Sequence, residues 1–208
     1  MDITRAEASD AVSALGWRHV LNTLVTTVAV DSLARAAQVA VAVADVGDHL
    51  RVDLRADRVI LRLQTPETTS VTAADVESAR RISAAVATEP HPGIQALEFA
   101  IDALDIGAVR PFWQAVLGYV DEPAPGNGLL DPLGQFPAVW FQQMDTPRPQ
   151  RNRIHLDVSV PHDEAERRIA AALAAGGRLL SDAEAPAFWV LADAEGNEAC
   201  VSTWQGRD

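Results

Sequence analysis

Within residues 152–159, apolar and polar residues alternate strictly from Arg153 onward. Ile154, Leu156 and Val158 fall on one side of an extended chain, and His155, Asp157 and Ser159 on the other. A solvated edge strand would show the same alternation, but this polar side combines an imidazole, a carboxylate and a hydroxyl, a set suited to a metal or a substrate. The layout has a counterpart upstream, where residues 97–102 form another short strand with Glu98 near its middle. Each strand leads into a helix. The first spans 108–117 and stops at Gly118; the second spans about 163–175 and stops at Gly176-Gly177. Each copy then carries Asp-x-x-Gly before a final strand: Asp131 to Gly134 before 138–143, and Asp193 to Gly196 before 198–203. An internal repeat of this kind dictates architecture. It predicts two paired βαβββ units around a shared site.

The first ninety residues follow a different pattern. Thr4-x-x-Glu7 is a capping-box signature, and Ala8, Ala11, Val12 and Leu15 follow at helical spacing up to Gly16. Strands are expected over 17–20 and 23–30, then a helix from Asp31-Ser32 to about residue 45, broken by Gly47. Residues 51–55 and 58–63 alternate on either side of Ala56-Asp57 and predict a hairpin. Thr72 and Asp75 then open a helix to about residue 87. The order is αββαββα. Glu89-Pro90-His91-Pro92-Gly93 interrupts any regular element and reads as a linker, with His91 in solvent. The fold class is therefore α+β, with one domain over 1–88, the linker over 89–93 and a second domain over 94–208.

Composition narrows the chemistry. The net charge of -12 disfavours nucleic acid and anionic membrane surfaces as partners. All 17 basic residues are arginines, so a Schiff-base lysine and a phosphate-loop lysine are excluded. The single cysteine, Cys200, excludes an internal disulfide and fits a reducing compartment. The first residues lack the charged-then-apolar layout of a signal peptide, and no apolar run is long enough to span a membrane. These features lead to the expectation of a cytoplasmic protein.

The words Phe112-Trp113-Gln-Ala-Val-Leu-Gly-Tyr119, Asn152-Arg-Ile-His-Leu-Asp157 and Asp193-Ala-Glu-Gly-Asn-Glu-Ala-Cys-Val201 stand in order. On them, residues 94–208 resemble the glyoxalase-like branch, with the glyoxalases and bleomycin-resistance proteins, of the vicinal oxygen chelate superfamily. That scaffold hosts isomerases, lyases, dioxygenases and metal-free binding proteins. Residues 53–63 and 72–80 resemble the pterin-4a-carbinolamine dehydratases. That family's His-His-Pro triplet reads Asp48-His49-Leu50 here, and its later histidine is replaced by Pro66. The dehydration needs proton-moving groups on both sides of the substrate, so the resemblance implies a degenerate site at Asp48 and His49 without dehydratase activity.

The glyoxalase-like resemblance implies four converging side chains: Glu98, Gln142, His155 and Cys200. On the fourth position Gln143 or Trp140 could face inward instead. Glutamate and neutral histidine suit a divalent ion such as Zn²⁺, Mn²⁺ or Fe²⁺; glutamine is a weak ligand, and cysteine ligates only as thiolate. Buried free cysteine is more often a small hydrophobe, so a site without metal is the other reading. Glu98 needs a partner if buried, and Arg110 and Arg153 are candidates. Asp157 could orient His155. Trp113, Trp140, Trp189 and Trp204 are expected mostly in the core, with Trp140 able to wall a substrate pocket together with Asp157.

Three functions remain open. In the first, a metal-assisted isomerase, lyase or dioxygenase uses Glu98 as base and His155 as ligand. In the second, a metal-free protein binds or sequesters a small molecule. In the third, the N-terminal domain serves as a dimerisation or regulatory module. The expected partners are a small-molecule ligand and a second copy of the chain.

Overall fold

Thr4 accepts the Glu7 backbone N–H at 3.2 Å while the Glu7 carboxylate accepts the Thr4 N–H at 2.9 Å, so the first helix opens on the capping box its sequence encodes. The computed structural model describes residues 3–124, 126–147, 155–203 and 205–206. The chain divides into two compact units. One comprises Met1–Ala96 with Pro123–Gly126, the other Leu97–Glu122 with Asn127–Asp208.

The first unit contains α1 (Arg5–Ser13), β1 (Arg18–Val20), β2 (Thr23–Ala29), α2 (Leu33–Val43), a 3-10 turn (Ala44–Val46), β3 (Leu50–Leu54), β4 (Arg58–Leu63) and α3 (Ala73–Ala85). Its strands form one antiparallel sheet in the order β1-β2-β4-β3. Strand β4 buries Val59, Leu61 and Leu63 and leaves Arg58, Ile60 and Arg62 half-buried, the two-residue period its sequence carries. The buried set packs with Val12, Trp17, Val39, Val43, Val76 and Ile82 in one core. Glu89 bridges back to Thr27 of β2, and His91 is half-buried against Arg58 rather than in solvent.

The second unit carries the repeat. Its elements are β5 (Glu98–Ala103), α4 (Ile106–Leu117), β6 (Val120–Asp121), β7 (Leu129–Leu130), β8 (Ala138–Gln143), β9 (Leu156–Ser159), α5 (Ala165–Ala174), β10 (Arg178–Ser181), β11 (Phe188–Ala192) and β12 (Glu198–Ser202). Two four-stranded sheets result, β5-β8-β7-β6 and β9-β12-β11-β10. In each, the first and last strands of a βαβββ unit are parallel neighbours, Glu98 lying opposite Ala138 and Asp157 opposite Cys200.

One core serves both copies. Ala103, Val139 and Phe141 of the first sheet and Leu191, Ala199 and Val201 of the second pack with Val109, Phe112, Trp113 and Val116 of α4 and Ala165 and Ala172 of α5. The helices meet closely. A Cβ at Gly177 would collide with the Phe112 ring, and one at Gly118 would lie 2.7 Å from the Arg168 guanidinium. That guanidinium instead donates to the Val116 carbonyl at 3.1 Å, occupying an otherwise unsatisfied acceptor at the C-terminus of α4. Gly118 sits at φ 71, which a side chain would strain.

The two Asp-x-x-Gly loops fold alike. Asp131 accepts the N–H groups of Leu133, Gln135 and Phe136, with Gly134 at φ 64. Asp193 accepts those of Glu195 and Asn197, with Gly196 at φ 93. Asp193 is fully buried and also accepts the Trp113 indole N–H at 3.0 Å and the Asn197 amide at 2.7 Å.

Several boundaries differ from the sequence reading. Helix α4 begins at Ile106, two residues early, because Asp105 caps it by accepting the Ala108 N–H and Glu195 holds the Leu104 and Asp105 N–H groups. Helix α5 begins at Ala165, two residues late. The start of the alternating stretch, residues 152–154, and Trp204 lie outside the described residues.

Replacing Asp193 by alanine strands a buried indole donor and two backbone donors. The Asp193→Ala variant is expected to lose about 3 kcal/mol or more of stability. Urea unfolding followed by tryptophan fluorescence measures it, and a loss below about 1 kcal/mol would contradict the role assigned to Asp193.

Candidate active site

Each sheet of the second unit turns one face to the shared core; the opposite face is exposed at Glu98, Trp140 and Gln142 on the first sheet and at Asp157 and Ser159 on the second, where Cys200 and Ser202 stay buried. On β5 and β8 the core face is Phe99, Ile101, Ala103, Val139 and Phe141. The open face therefore presents Glu98, Ala100 and Asp102 beside Ala138, Trp140 and Gln142, register partners in that order. On β9 and β12 the core face is Leu156, Ala199 and Val201, and the open face carries Asp157, Ser159, Cys200 and Ser202. His155 immediately precedes β9 and continues the Asp157 side.

His155, Asp157 and Cys200 come together. Their donor atoms all lie within 4.8 Å of one another, and Glu98 is not among them. His155 Nδ1 is 3.0 Å from Asp157 Oδ1 and 3.7 Å from Cys200 Sγ. Cys200 is buried, while the side chains of His155 and Asp157 are 51% and 64% exposed, so the group has a closed floor and an open top. Loss of hydration pushes the thiol up to about 11, with its hydrogen bond to Asp157 and the charges of Asp157 and Glu198 adding to the shift.

Glu98 lies on the other sheet. Partial desolvation and then the neighbouring charge of Glu122 raise its pKa above the ordinary glutamate value. Arg110, a candidate partner from sequence, is instead held by Asp121 at 2.7 Å and the Gly128 carbonyl at 3.0 Å; Arg153 lies outside the described residues. Gln142 donates to the Gln143 carbonyl at 3.2 Å, whereas Gln143 turns to the carbonyls of Ala103, Leu104 and Met144. Trp140 is 37% exposed, unlike Trp113, which is buried, and Trp189, which packs against the core.

In the first unit, Asp48 is exposed and His49 half-buried. The ring is not a bare surface group. Its Nδ1 meets Asp75 Oδ1 at 3.1 Å, and the fully buried Asp75 carboxylate also accepts Thr65 Oγ1, Thr72 Oγ1 and the Thr72 N–H. Sequence reading missed this pairing, although Asp75 was visible as the capping residue of α3.

The glyoxalase-like domain model matches residues 98–202, just over half of the chain. The chain belongs to the glyoxalase-like domain family. The family's span holds every element from β5 to β12, both open faces included. Among solved structures, a hypothetical protein from S. aureus is 18% identical, covering 53% of this chain and 98% of that one, at a TM-score of 0.41. A glyoxalase/bleomycin resistance protein/dioxygenase family enzyme from Burkholderia phytofirmans is 19% identical over 51% of this chain and 95% of that one, at 0.38. A fosfomycin resistance protein from Listeria monocytogenes, complexed with Mn(II), is 14% identical over 52% and 90%, at 0.42. No curated protein matches the chain. Among the described residues, no helix of this glyoxalase-like protein is long and apolar enough to cross a membrane.

Two titration outcomes follow. With a thiol pKa of about 11, only about one Cys200 in a thousand is thiolate at pH 8. A disulfide reagent should therefore label native, metal-free protein far more slowly than urea-unfolded protein, faster as pH rises; equal rates at pH 8 would refute the burial argument. A carboxyl whose pKa is raised by folding contributes stability at low pH that is lost as pH rises through the raised value. The Glu98→Gln variant should thus melt higher than the parent at pH 8, with the difference vanishing near pH 4.

Proposed function

We propose that this glyoxalase-like protein is an enzyme acting on a small molecule with two adjacent oxygens, assisted by a divalent ion at the His155 and Cys200 site. The observation that carries the reading is the convergence of an imidazole, a carboxylate and a thiol at one open sheet face. The donor types fit a transition metal, since neutral imidazole and thiolate are good ligands and the carboxylate offsets charge. Such an ion would polarise the substrate oxygens and stabilise negative charge developing on them.

The remaining steps belong to the chain. Glu98, whose proton affinity is raised, would take a proton from a substrate carbon and return it elsewhere, the work of an isomerase or lyase. Trp140 supplies an apolar wall, and the Gln142 amide a polar contact beside it. Glu98 and the His155 group sit on different sheets whose open faces both turn from the shared core. We therefore place the working site in a homodimer, with Glu98, Gln142 and Trp140 of one copy facing His155, Asp157 and Cys200 of the other.

The alternative is a metal-free protein that binds or sequesters a small molecule, in which the three side chains pair with one another instead of with an ion. His155, Asp157 and Cys200 already satisfy one another, with a neutral thiol. For the first unit, the αββαββα order and single sheet support a degenerate relative of the pterin-4a-carbinolamine dehydratases. With Pro66 in place of a histidine, that unit serves as a dimerisation or regulatory module of a cytoplasmic protein.

Elemental analysis of untagged protein beside a His155→Ala variant tests the enzyme reading. Near one metal ion per chain, lost in the variant, is the expected result. No metal in the parent even after addition of Zn²⁺, Mn²⁺ or Fe²⁺ would overturn it in favour of the binding protein, for which native mass spectrometry would then reveal a bound organic ligand.

A further inference from the structure

We infer that the third protein ligand of the metal is Asp157 and not Glu98, so that the second βαβββ unit alone builds a three-residue His–Asp–Cys zinc site. The inference rests on the metal-assisted reading and refines it.

The register of the sheet is the first support. Cys200 and Asp157 are partners across the parallel β12–β9 ladder, and His155 is two residues before Asp157 on the same side. Two of the three donors are thus fixed by one hydrogen-bonded ladder, which positions ligands more firmly than loops do, and His155 stands one residue before β9. Two tetrahedral zinc ligands, one nitrogen and one oxygen, stand about 3.3 Å apart, and a nitrogen and a sulfur about 3.5 Å. The observed spacings are 3.0 Å from His155 Nδ1 to Asp157 Oδ1 and 3.7 Å from His155 Nδ1 to Cys200 Sγ. Both lie within a few tenths of an ångström of what zinc needs. Within one chain Glu98 meets neither condition. It belongs to the other sheet, lies outside the donor group, and its nearest charge influence is another carboxylate, Glu122.

The donor set also selects the ion. A thiolate favours Zn²⁺ over Mn²⁺ or Mg²⁺, which prefer oxygen ligands and octahedral geometry. Three protein ligands would leave zinc open to one further ligand, as in catalytic rather than structural zinc sites. Substrate oxygen or water would take that position on the solvent side, where His155 and Asp157 are exposed. Glu98 is thereby left free to move a proton instead of holding the ion.

Titration of the full-length protein with Zn²⁺ and Co²⁺ tests this, using Asp157→Asn, Cys200→Ser and Glu98→Gln variants. Asp157 and Glu98 are exposed, so both replacements should keep the fold, checked by circular dichroism and melting temperature. The expected result is that Asp157→Asn and Cys200→Ser weaken Zn²⁺ binding by at least about a hundredfold, beyond the range seen for residues that merely orient ligands. Glu98→Gln should change it by less than about threefold, because Glu98 makes no bond to the ion. The Co²⁺ complex should show a thiolate charge-transfer band that Cys200→Ser abolishes and Glu98→Gln keeps. Strong weakening by Glu98→Gln with little effect of Asp157→Asn would overturn the inference while leaving a metal-assisted enzyme intact. Failure of the parent to bind either ion would remove both.

Discussion

The second unit depends on one buried carboxylate. Asp193 is fully enclosed and satisfied by four donors: the Trp113 indole, the Glu195 and Asn197 N–H groups and the Asn197 amide. A charge removed from water is tolerable only with such a full set of partners. The bond to Trp113 joins the turn before β12 to helix α4, which belongs to the other copy of the repeat. Glu195, on the same turn, holds the N–H groups of Leu104 and Asp105 at the start of α4. One loop therefore fixes both where α4 begins and where β12 enters its sheet. Cys200 stands three residues beyond Asn197, so its place in the donor group is set by this loop.

From that anchor the site follows by sheet geometry. The two-residue period divides β12 into Ala199 and Val201 in the core and Cys200 and Ser202 on the open face. The parallel ladder to β9 then brings Asp157 alongside, and His155 extends the same side. Burial beneath and exposure above give the group unequal surroundings: a thiol that holds its proton next to an imidazole and a carboxylate open to solvent. The first sheet uses the same geometry with different residues, placing Glu98, Trp140 and Gln142 on its open face.

Much of this was legible in the chain. The strand expected after Asp131-x-x-Gly134 is β8 to the residue, the capping box predicted α1, and the paired Asp-x-x-Gly words marked loops that fold alike. His155 and Asp157 could be placed on one face because they are two residues apart in a strand-like run. The partnership of Asp157 with Cys200 could not, since it joins residues 43 positions apart through a register that only the folded sheet defines. Nor does local pattern reveal that Asp75 serves His49 as well as its own helix, or that Asp193 reaches Trp113, because each partner lies far away in sequence. The two-residue strands β6 and β7 carry too few positions for a period to show.

In both copies of the repeat, the strand that begins the unit is hydrogen-bonded to the strand that ends it. Each copy is therefore a self-contained four-stranded sheet that, among the described residues, does not borrow a strand from the other. Duplicated units of this kind can drift separately. A substitution on the open face of one leaves the ladder of the other untouched, provided the shared helices still fit. This independence accounts for two copies with the same strand order and such unlike surfaces, one an aromatic and carboxylate wall, the other a nitrogen, oxygen and sulfur cradle.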